Sequence, residues 1–331
     1  MSGTNKQSLL SICIPTWNRA KFLRLSLESF LEQLRGVDRQ EVELFVSDNC
    51  SDDETPMVVE EYIQKGLPIT YNRNEENVGA AGNFVKCMQW ASGKYIYLLG
   101  DDDILEDDAL IYLLDAIRNN DYGLIHIHEF KDITEEMKVY TNPESFLNQI
   151  SYWITFMSGS IFRKDVVGQI NPSKYVGTHL LQMPFYIASA LSRKENLIIN
   201  KGILKSGLDS GNNGGYNLYE VFVKNYLDIW KEFVDSGHIS LSLYKAIKKD
   251  IYVKFIVGFN YMLLVQHKNV KDEDSPYIGN RQGFKIAGAK EILEEYYGEE
   301  WYHKLYWWWN LRMWWHIQKK QIKRWFSIYF N

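Results

Sequence analysis

The chain has 331 residues, 46% of them hydrophobic, 24% charged and 15% aromatic, and a formal net charge of −5. The hydrophobic and charged fractions are ordinary for a globular protein with one large domain plus an appendage, whereas 15% aromatic is high and needs a local explanation. Residues 301–331 hold six Lys and Arg and no Asp or Glu, leaving 31 basic against 42 acidic side chains, −11, in the first 300 residues. So acidic a body argues against nucleic acid as a partner, because a phosphate backbone needs positive charge on the cleft.

Cys13, Cys50 and Cys87 form an odd set without metal-ligand spacing, which suits a reducing compartment. The N-terminus shows no basic-then-apolar leader, and no stretch approaches roughly 18 uninterrupted apolar residues. The expected location is therefore the cytoplasm.

Residues 9–15 read as a strand, followed by a helix in which Leu23, Leu27, Phe30, Leu31 and Leu34 recur at helical spacing. A second strand over 42–47 precedes a helix carrying Val58, Val59, Tyr62 and Ile63 on one face. Then come a short strand over 69–71, a helix through Phe84, Val85 and Met88, a strand running to Asp101, a helix over 104–118, and a strand over 124–128. Strands alternating with amphipathic helices predict an α/β fold with a mostly parallel, doubly wound sheet, whose ligands bind beyond the carboxyl ends of the strands. From residue 217 the pattern is helical, beginning with Val221, Val223, Tyr226, Ile229, Trp230 and Phe233. The expected division is an α/β domain over 1–215, then a helical region over 216–331.

The polar chemistry collects at the strand ends. Asp101, Asp102 and Asp103 follow Gly100 where an apolar run stops, and three carboxylates at the mouth of a buried strand require a cation. Mg²⁺ or Mn²⁺ takes oxygen ligands and keeps positions open for a substrate phosphate. A helix cap would need only one of the three. The first strand leads into Pro15, Thr16, Trp17, Asn18 and Arg19, the second into Asp48, Asn49, Cys50, Ser51, Asp52 and Asp53, and the third into residues 73–79. Asp48 can accept from ribose hydroxyls or a base N–H, Thr16 and Asn18 can contact base or ribose, and Arg19 or Arg73 can offset phosphate charge. Gly79 and Gly82, near a helix start, let backbone amides approach a ligand. Singly these residues have plain uses in turns and caps; their joint position on one rim points to a nucleotide.

No G-x-G-x-x-G or G-x-x-x-x-G-K-[ST] loop occurs, which removes the main support for dehydrogenases and P-loop NTPases. Residues 11–23, 45–55, 74–79 and 97–103, in that order, instead resemble the family-2 nucleotide-sugar glycosyltransferases with a GT-A fold, of the kind that builds bacterial cell-surface polysaccharide. The likeness spans about residues 8–210 and implies that residues 1–215 are a catalytic domain, with a donor half over about 8–120 and an acceptor half over about 121–215. It implies that Pro15, Thr16 and Asn18 line the nucleotide pocket, that Asp48 holds base or ribose, that Asp101 or Asp102 lies near the ribose, and that Asp103 binds the metal bridging the donor diphosphate. Arg19, Asn77, Gly79 and Asn83 complete the expected donor set. It also implies an inverting single displacement, with Mg²⁺ or Mn²⁺ as cofactor and a general base on the acceptor side.

The base is where the chain departs from that family. After an acceptor-side segment over 157–164, many relatives carry a Glu-Asp pair, whereas here the stretch over 175–182 offers His179. Imidazole can act as base, bind an acceptor or the metal, or serve only structure. Asp209 is the rival, within a stretch where Gly207, Gly211, Gly214 and Gly215 suit either a loop that closes over the diphosphate or a linker. His126 and His128 alternate on a strand and read as core or supporting groups.

Seven of the 11 tryptophans fall in residues 301–331: Trp301, Trp307, Trp308, Trp309, Trp314, Trp315 and Trp325. With Lys304, Arg312, Lys319, Lys320, Lys323 and Arg324 among them, this is the composition of a helix lying on an anionic membrane, or of one packed on the protein or in an oligomer interface. The expected function is transfer of a sugar from a nucleotide-sugar donor, a UDP-sugar by preference, to a saccharide or lipid-linked saccharide acceptor in cell-envelope, capsule or O-antigen assembly. The rivals are a sugar nucleotidyltransferase, which would want a glycine- and lysine-rich triphosphate loop near Pro15, and a non-catalytic membrane-associated glycan-binding protein, which would have no use for the three Asp.

Overall fold

The computed structural model describes residues 8–205, 216–261, 287–305, 308–316 and 318–319, and Asp209 lies outside them. The chain divides into two compact units, Met1–Asp209 and Ser210–Asn331.

The first unit is built on an eight-stranded sheet of order β3-β2-β1-β4-β8-β6-β9-β7. Its first half comprises β1 (Leu10–Thr16), α1 (Ala20–Gln33), β2 (Val42–Asp48), α2 (Thr55–Gln64), β3 (Ile69–Arg73), α3 (Gly79–Trp90) and β4 (Tyr95–Leu98). Every residue of β1 is buried, because it lies between β2 and β4 and both its faces are covered. Leu10, Ile12 and Ile14 join Leu23, Leu27 and Phe30 of α1 in the core cluster, while Cys13, one residue out of phase, lies against α3 with its Sγ 3.6 Å from the Cys87 carbonyl. Parallel pairing of β1 with β2, β1 with β4 and β2 with β3 gives the doubly wound half. The chain steps from β1 to β2 and β3 on one side and then to β4 on the other, so the strand order reverses at the β1/β4 boundary.

The sequence misleads just after β4. The strand ends at Leu98, and residues Ile104–Leu105 form a short strand, β5, instead of starting a helix; α4 (Ala109–Arg118) begins only after Asp108, at φ 61°. β5 is fixed by antiparallel pairing with β10 (Leu204–Lys205), a partner that local propensity cannot reveal.

Then come β6 (Ile125–Ile127), β7 (Met137–Tyr140), α5 (Pro143–Ile150), β8 (Ser160–Arg163), α6 (Gln182–Leu191) and β9 (Asn196–Ile199). β8 runs antiparallel to both β4 and β6, so β6 points the same way as β4 and their carboxyl ends share an edge. β6 and β9 are parallel, and β7 closes the sheet antiparallel to β9.

The second unit is helical where described: α7 (Tyr226–Asp235), α8 (Leu241–Ile251), α9 (Val257–Asn260), α10 (Ala289–Tyr297) and α11 (Trp301–Lys304). Tyr226, Trp230, Tyr252 and Tyr297 are fully buried and form the aromatic core of this unit.

Candidate active site

Thr16 ends β1 buried, and its hydroxyl donates to Asp101 Oδ2 at 2.6 Å, directly bridging the β1/β4 boundary. Arg19 then reaches across the same gap: its Nε lies 2.7 Å from Asp101 Oδ1 and its second guanidinium nitrogen 2.8 Å from Asp102 Oδ2. Arg19 thus supplies Asp101 and Asp102 with a cation from the protein itself. Burial pushes the Asp101 carboxyl up to about 6, against the pull of Arg19 and of the Thr16 hydroxyl.

Gly100 shapes this turn. A Cβ there would meet Asp103 Oδ2 at 2.8 Å and Asp102 Oδ1 at 3.2 Å, so two carboxylate oxygens converge over its bare Cα. Its N–H donates to Ser158 Oγ at 2.8 Å, and Tyr97 donates its hydroxyl proton to the Ser158 carbonyl at 2.9 Å. A serine that precedes β8 thus holds the turn that follows β4.

The neighbouring loops are stitched together by short polar side chains. Asn18, in the left-handed region at φ 53° that Asn tolerates, accepts from Asp52 N at 2.8 Å, and its own N–H donates to Ser51 Oγ at 2.9 Å. Asp53 accepts from Ala20 N at 3.0 Å and Thr55 N at 2.9 Å, so one carboxylate answers the start of both α1 and α2. Although burial opposes it, hydrogen bonds from Thr55 and Ala20 hold that carboxyl below its usual range.

Asp48 ends β2 fully buried. Its Oδ1 accepts from Ser51 N at 2.8 Å and its Oδ2 from the Tyr71 hydroxyl at 2.6 Å, with Arg73 Nε at 3.7 Å. Asn49, Asn74, Asn77 and Asn83 form a ladder behind it. Asn49 donates to Asn77 Oδ1 at 2.7 Å, Asn74 to Asn49 at 3.0 Å, and Asn83 to the Ser47 carbonyl at 2.8 Å. Asn83 is buried with both ends of its amide engaged, so it acts from behind the rim, tying α3 to β2. Gly79, at φ 76°, opens α3, and its N–H donates to Asn77 Oδ1 at 2.8 Å.

On the other flank, His179 is exposed at φ 59° after the turn Val176–Thr178, which packs against α3. His126 is buried, with Nδ1 3.0 Å from Ser160 Oγ, and burial holds its imidazole down at about 3, hence neutral. His128 stacks on Trp153, with ring centroids 3.8 Å apart.

Residues 11–170 match the family model described as Glycosyl transferase family 2. The chain carries a family 2 glycosyltransferase domain. Among its relatives, the abequosyltransferase RfbV of Salmonella typhimurium is 36% identical over 111 residues, which are 32% of this chain and 31% of the relative. The GalNAc(5)-diNAcBac-PP-undecaprenol beta-1,3-glucosyltransferase of Campylobacter jejuni is 33% identical over 106 residues, 32% of this chain and 33% of the relative. The match thus spans about a third of the length of these curated relatives. Among solved structures, Staphylococcus aureus TarS 1-349 in complex with UDP-GlcNAc superimposes with a TM-score of 0.61 at 18% identity, over 87% of this chain and 81% of that one. The mannosyltransferase PcManGT from Pyrobaculum calidifontis, in complex with GDP-Man and Mn²⁺, gives 0.50 at 12% identity, over 93% and 84%. These likenesses establish the GT-A fold.

Within this family 2 domain, Thr16, Arg19, Asp101 and Asp102 meet at one point, and Asp103 shares their turn. Pro15 pairs with Ser47 inside the sheet, so it shapes the floor of the rim. Sequence reasoning missed Asp53, Tyr71 and Ser158. Asp53 was in view only as a turn residue, and the other two act through partners 23 and 58 positions away. Among the described residues, no three His, Cys, Asp or Glu side chains are placed to hold an ion by themselves. In diphosphate sites, however, a hard cation takes only one or two carboxylates and completes its shell with phosphate oxygens and water. The oxygens of Asp102 and Asp103 converging over Gly100 fit such a shared ion.

Proposed function

We propose that the protein transfers a sugar from a UDP-sugar to a saccharide hydroxyl with inversion, during assembly of a cell-envelope glycan of capsule or O-antigen type. The observation that carries this reading is the Thr16–Asp101–Arg19 junction, which lies where the strand order reverses, the place at which open α/β sheets bind nucleotides. The activities of the relatives support sugar transfer, and that of the glucosyltransferase, on a lipid-linked glycan, supports the acceptor class.

In this reading Asp48, Thr16 and Asn18 receive base and ribose, Trp17 offers a half-exposed aromatic face beside them, and Asp101 lies nearest the ribose. Asp102 and Asp103 would hold Mg²⁺ or Mn²⁺, which supplies Lewis-acid stabilisation of the departing diphosphate. Arg19 sits within reach of the same charge. The acceptor oxygen loses its proton to a base, forms a bond to the anomeric carbon, and the bond from that carbon to the diphosphate oxygen breaks. His179, exposed in a turn against α3, is the described candidate for the base, and Asp209 is the other.

Calorimetric titration of UDP with and without Mn²⁺ tests the donor site. We expect metal-dependent binding that Asp103→Ala abolishes; equal affinity in the two proteins refutes the site. His179→Ala and Asp209→Ala, assayed for turnover with UDP binding intact, separate the two bases.

We also propose that residues 301–331 rest on an anionic membrane surface. No helix among the described residues is long and apolar enough to cross a membrane. Helical residues 308–316 instead expose Trp308, Leu311, Trp314 and Trp315, with Arg312 and His316 also exposed. Full-length protein should float with phosphatidylglycerol vesicles and less with phosphatidylcholine, and replacing Trp314 and Trp315 by Ala should cut that binding. Vesicle binding indifferent to both changes removes the proposal.

A further inference from the structure

The edge that carries the acidic turn also carries a run of aromatic rings that the donor site does not use. His128, just past the end of β6, stacks on Trp153 at a centroid separation of 3.8 Å and an interplanar angle of 31°. Tyr152 continues the stack, 5.2 Å from Trp153 at 29°, and Phe130 meets His128 edge-on at 4.6 Å. Each of the four is only half-buried, whereas Phe146, Phe162 and Tyr186 of the same unit are fully buried. A packed core would hide such rings, since aromatic side chains bury large apolar areas when they can.

Their placement says what they face. Base and ribose chemistry lies at the ends of β1, β2 and β3, on one side of β4, whereas β6 lies beyond β8 on the other. The two sides meet through Ser158, which binds Gly100 N–H, and through Gly159, whose Cβ position is 3.4 Å from His126 Cε1. The rings therefore stand beside the reaction centre on the side away from the nucleotide. Burial keeps the His128 imidazole below its ordinary range, so the four rings are uncharged at neutral pH.

We propose that Tyr152, Trp153, His128 and Phe130 form the platform on which the acceptor saccharide lies. The apolar C–H face of a pyranose ring packs on the electron-rich face of an aromatic ring, leaving its hydroxyls free to bond water or polar groups at the edge of the stack. The inference rests on the glycosyltransferase reading and adds to it the acceptor's position and the class of ligand, an uncharged hexopyranose ring.

Saturation-transfer NMR tests it, using full-length protein with UDP and Mn²⁺ and a panel of methyl glycosides of glucose, galactose, mannose and N-acetylglucosamine. We expect transfer to the ring C–H protons of at least one glycoside, weakened about tenfold in apparent affinity by Trp153→Ala and largely restored by Trp153→Phe, with the UDP signal unchanged in all three proteins. No glycoside signal in the wild type, or one that survives Trp153→Ala, overturns the platform while leaving the donor site standing. Absence of a UDP signal from the wild type refutes the glycosyltransferase reading itself. Loss of the UDP signal in Trp153→Ala, or failure of Trp153→Phe to restore the glycoside signal, shows the ring to be structural and also overturns the platform.

Discussion

Arg19 and Asp101, 82 positions apart in sequence, meet at 2.7 Å across the boundary between β1 and β4, with the Arg19 side chain 26% and the Asp101 side chain 7% exposed. The pair closes the acidic turn electrostatically and fixes its position against the end of the central strand. Removing one partner leaves a carboxylate stranded in a poorly solvated place.

Arg19→Ala should therefore cost about 2 kcal/mol of stability, discounted from the fully buried case for the partial exposure of the guanidinium. Arg19→Lys should recover only part, because an ammonium lacks the fork that spans Asp101 and Asp102 together. Urea unfolding at pH 7.5 measures both; a loss within error for Arg19→Ala would show the pair to be energetically idle.

Asp101 gives a pH dependence whose sign is fixed. Its carboxyl is raised from 3.8 to about 6, so ionisation costs the fold stability that is fully present below 3.8 and lost as pH rises through about 6. Ligand binding runs the other way, because a cation-bound diphosphate favours the ionised turn. The affinity for UDP with Mn²⁺ should fall as pH is lowered from 7 to 5, and Asp101→Asn should flatten that step. A wild-type affinity level across this range would contradict the assignment.

Gly100→Ala separates folding from function. The added methyl would lie 2.8 Å from Asp103 Oδ2 and 3.2 Å from Asp102 Oδ1, both ends of side chains that can swing aside, so stability should change by less than about 1 kcal/mol. The convergence of the two oxygens is lost, and with it most metal-dependent UDP binding. Calorimetry beside thermal unfolding distinguishes this from a global defect, which would lower both together.

Asp53→Ala removes one acceptor from the starts of two helices. A loss of about 1–2 kcal/mol is expected at pH 7, the sum of two modest caps. The carboxyl is held below 3.8, so its contribution is present above that value and disappears as pH falls through the folded value; wild type and variant should converge once the carboxyl is protonated in acid. A difference that persists in acid would point to packing instead.

The half of the first unit from β1 to β4 was legible because its signals are local. Apolar runs such as Leu10, Ile12 and Ile14, and helical spacing such as Leu23, Leu27 and Phe30, report burial directly, and the polar strand ends mark the rim. The Arg19 pairing was not legible, since charge alone does not say which of several carboxylates an arginine will meet across 82 residues. Ile104 and Leu105 misled for a related reason: their fate is decided by Leu204 and Lys205, about a hundred positions on. Asn83 has a donor's chemistry and the right neighbourhood, yet only the coordinates show its amide turned inward to Ser47. The aromatic stack escaped because Trp153 and His128 are joined by tertiary packing across β7 and α5.

Ser158 has a consequence for anyone recombining such enzymes. It precedes β8, yet its hydroxyl and carbonyl anchor Gly100 and Tyr97 at the end of β4. A chimera that swaps the segments after β5 between homologues must therefore keep a hydroxyl at this position, or the graft will loosen the acidic turn it was meant to leave alone.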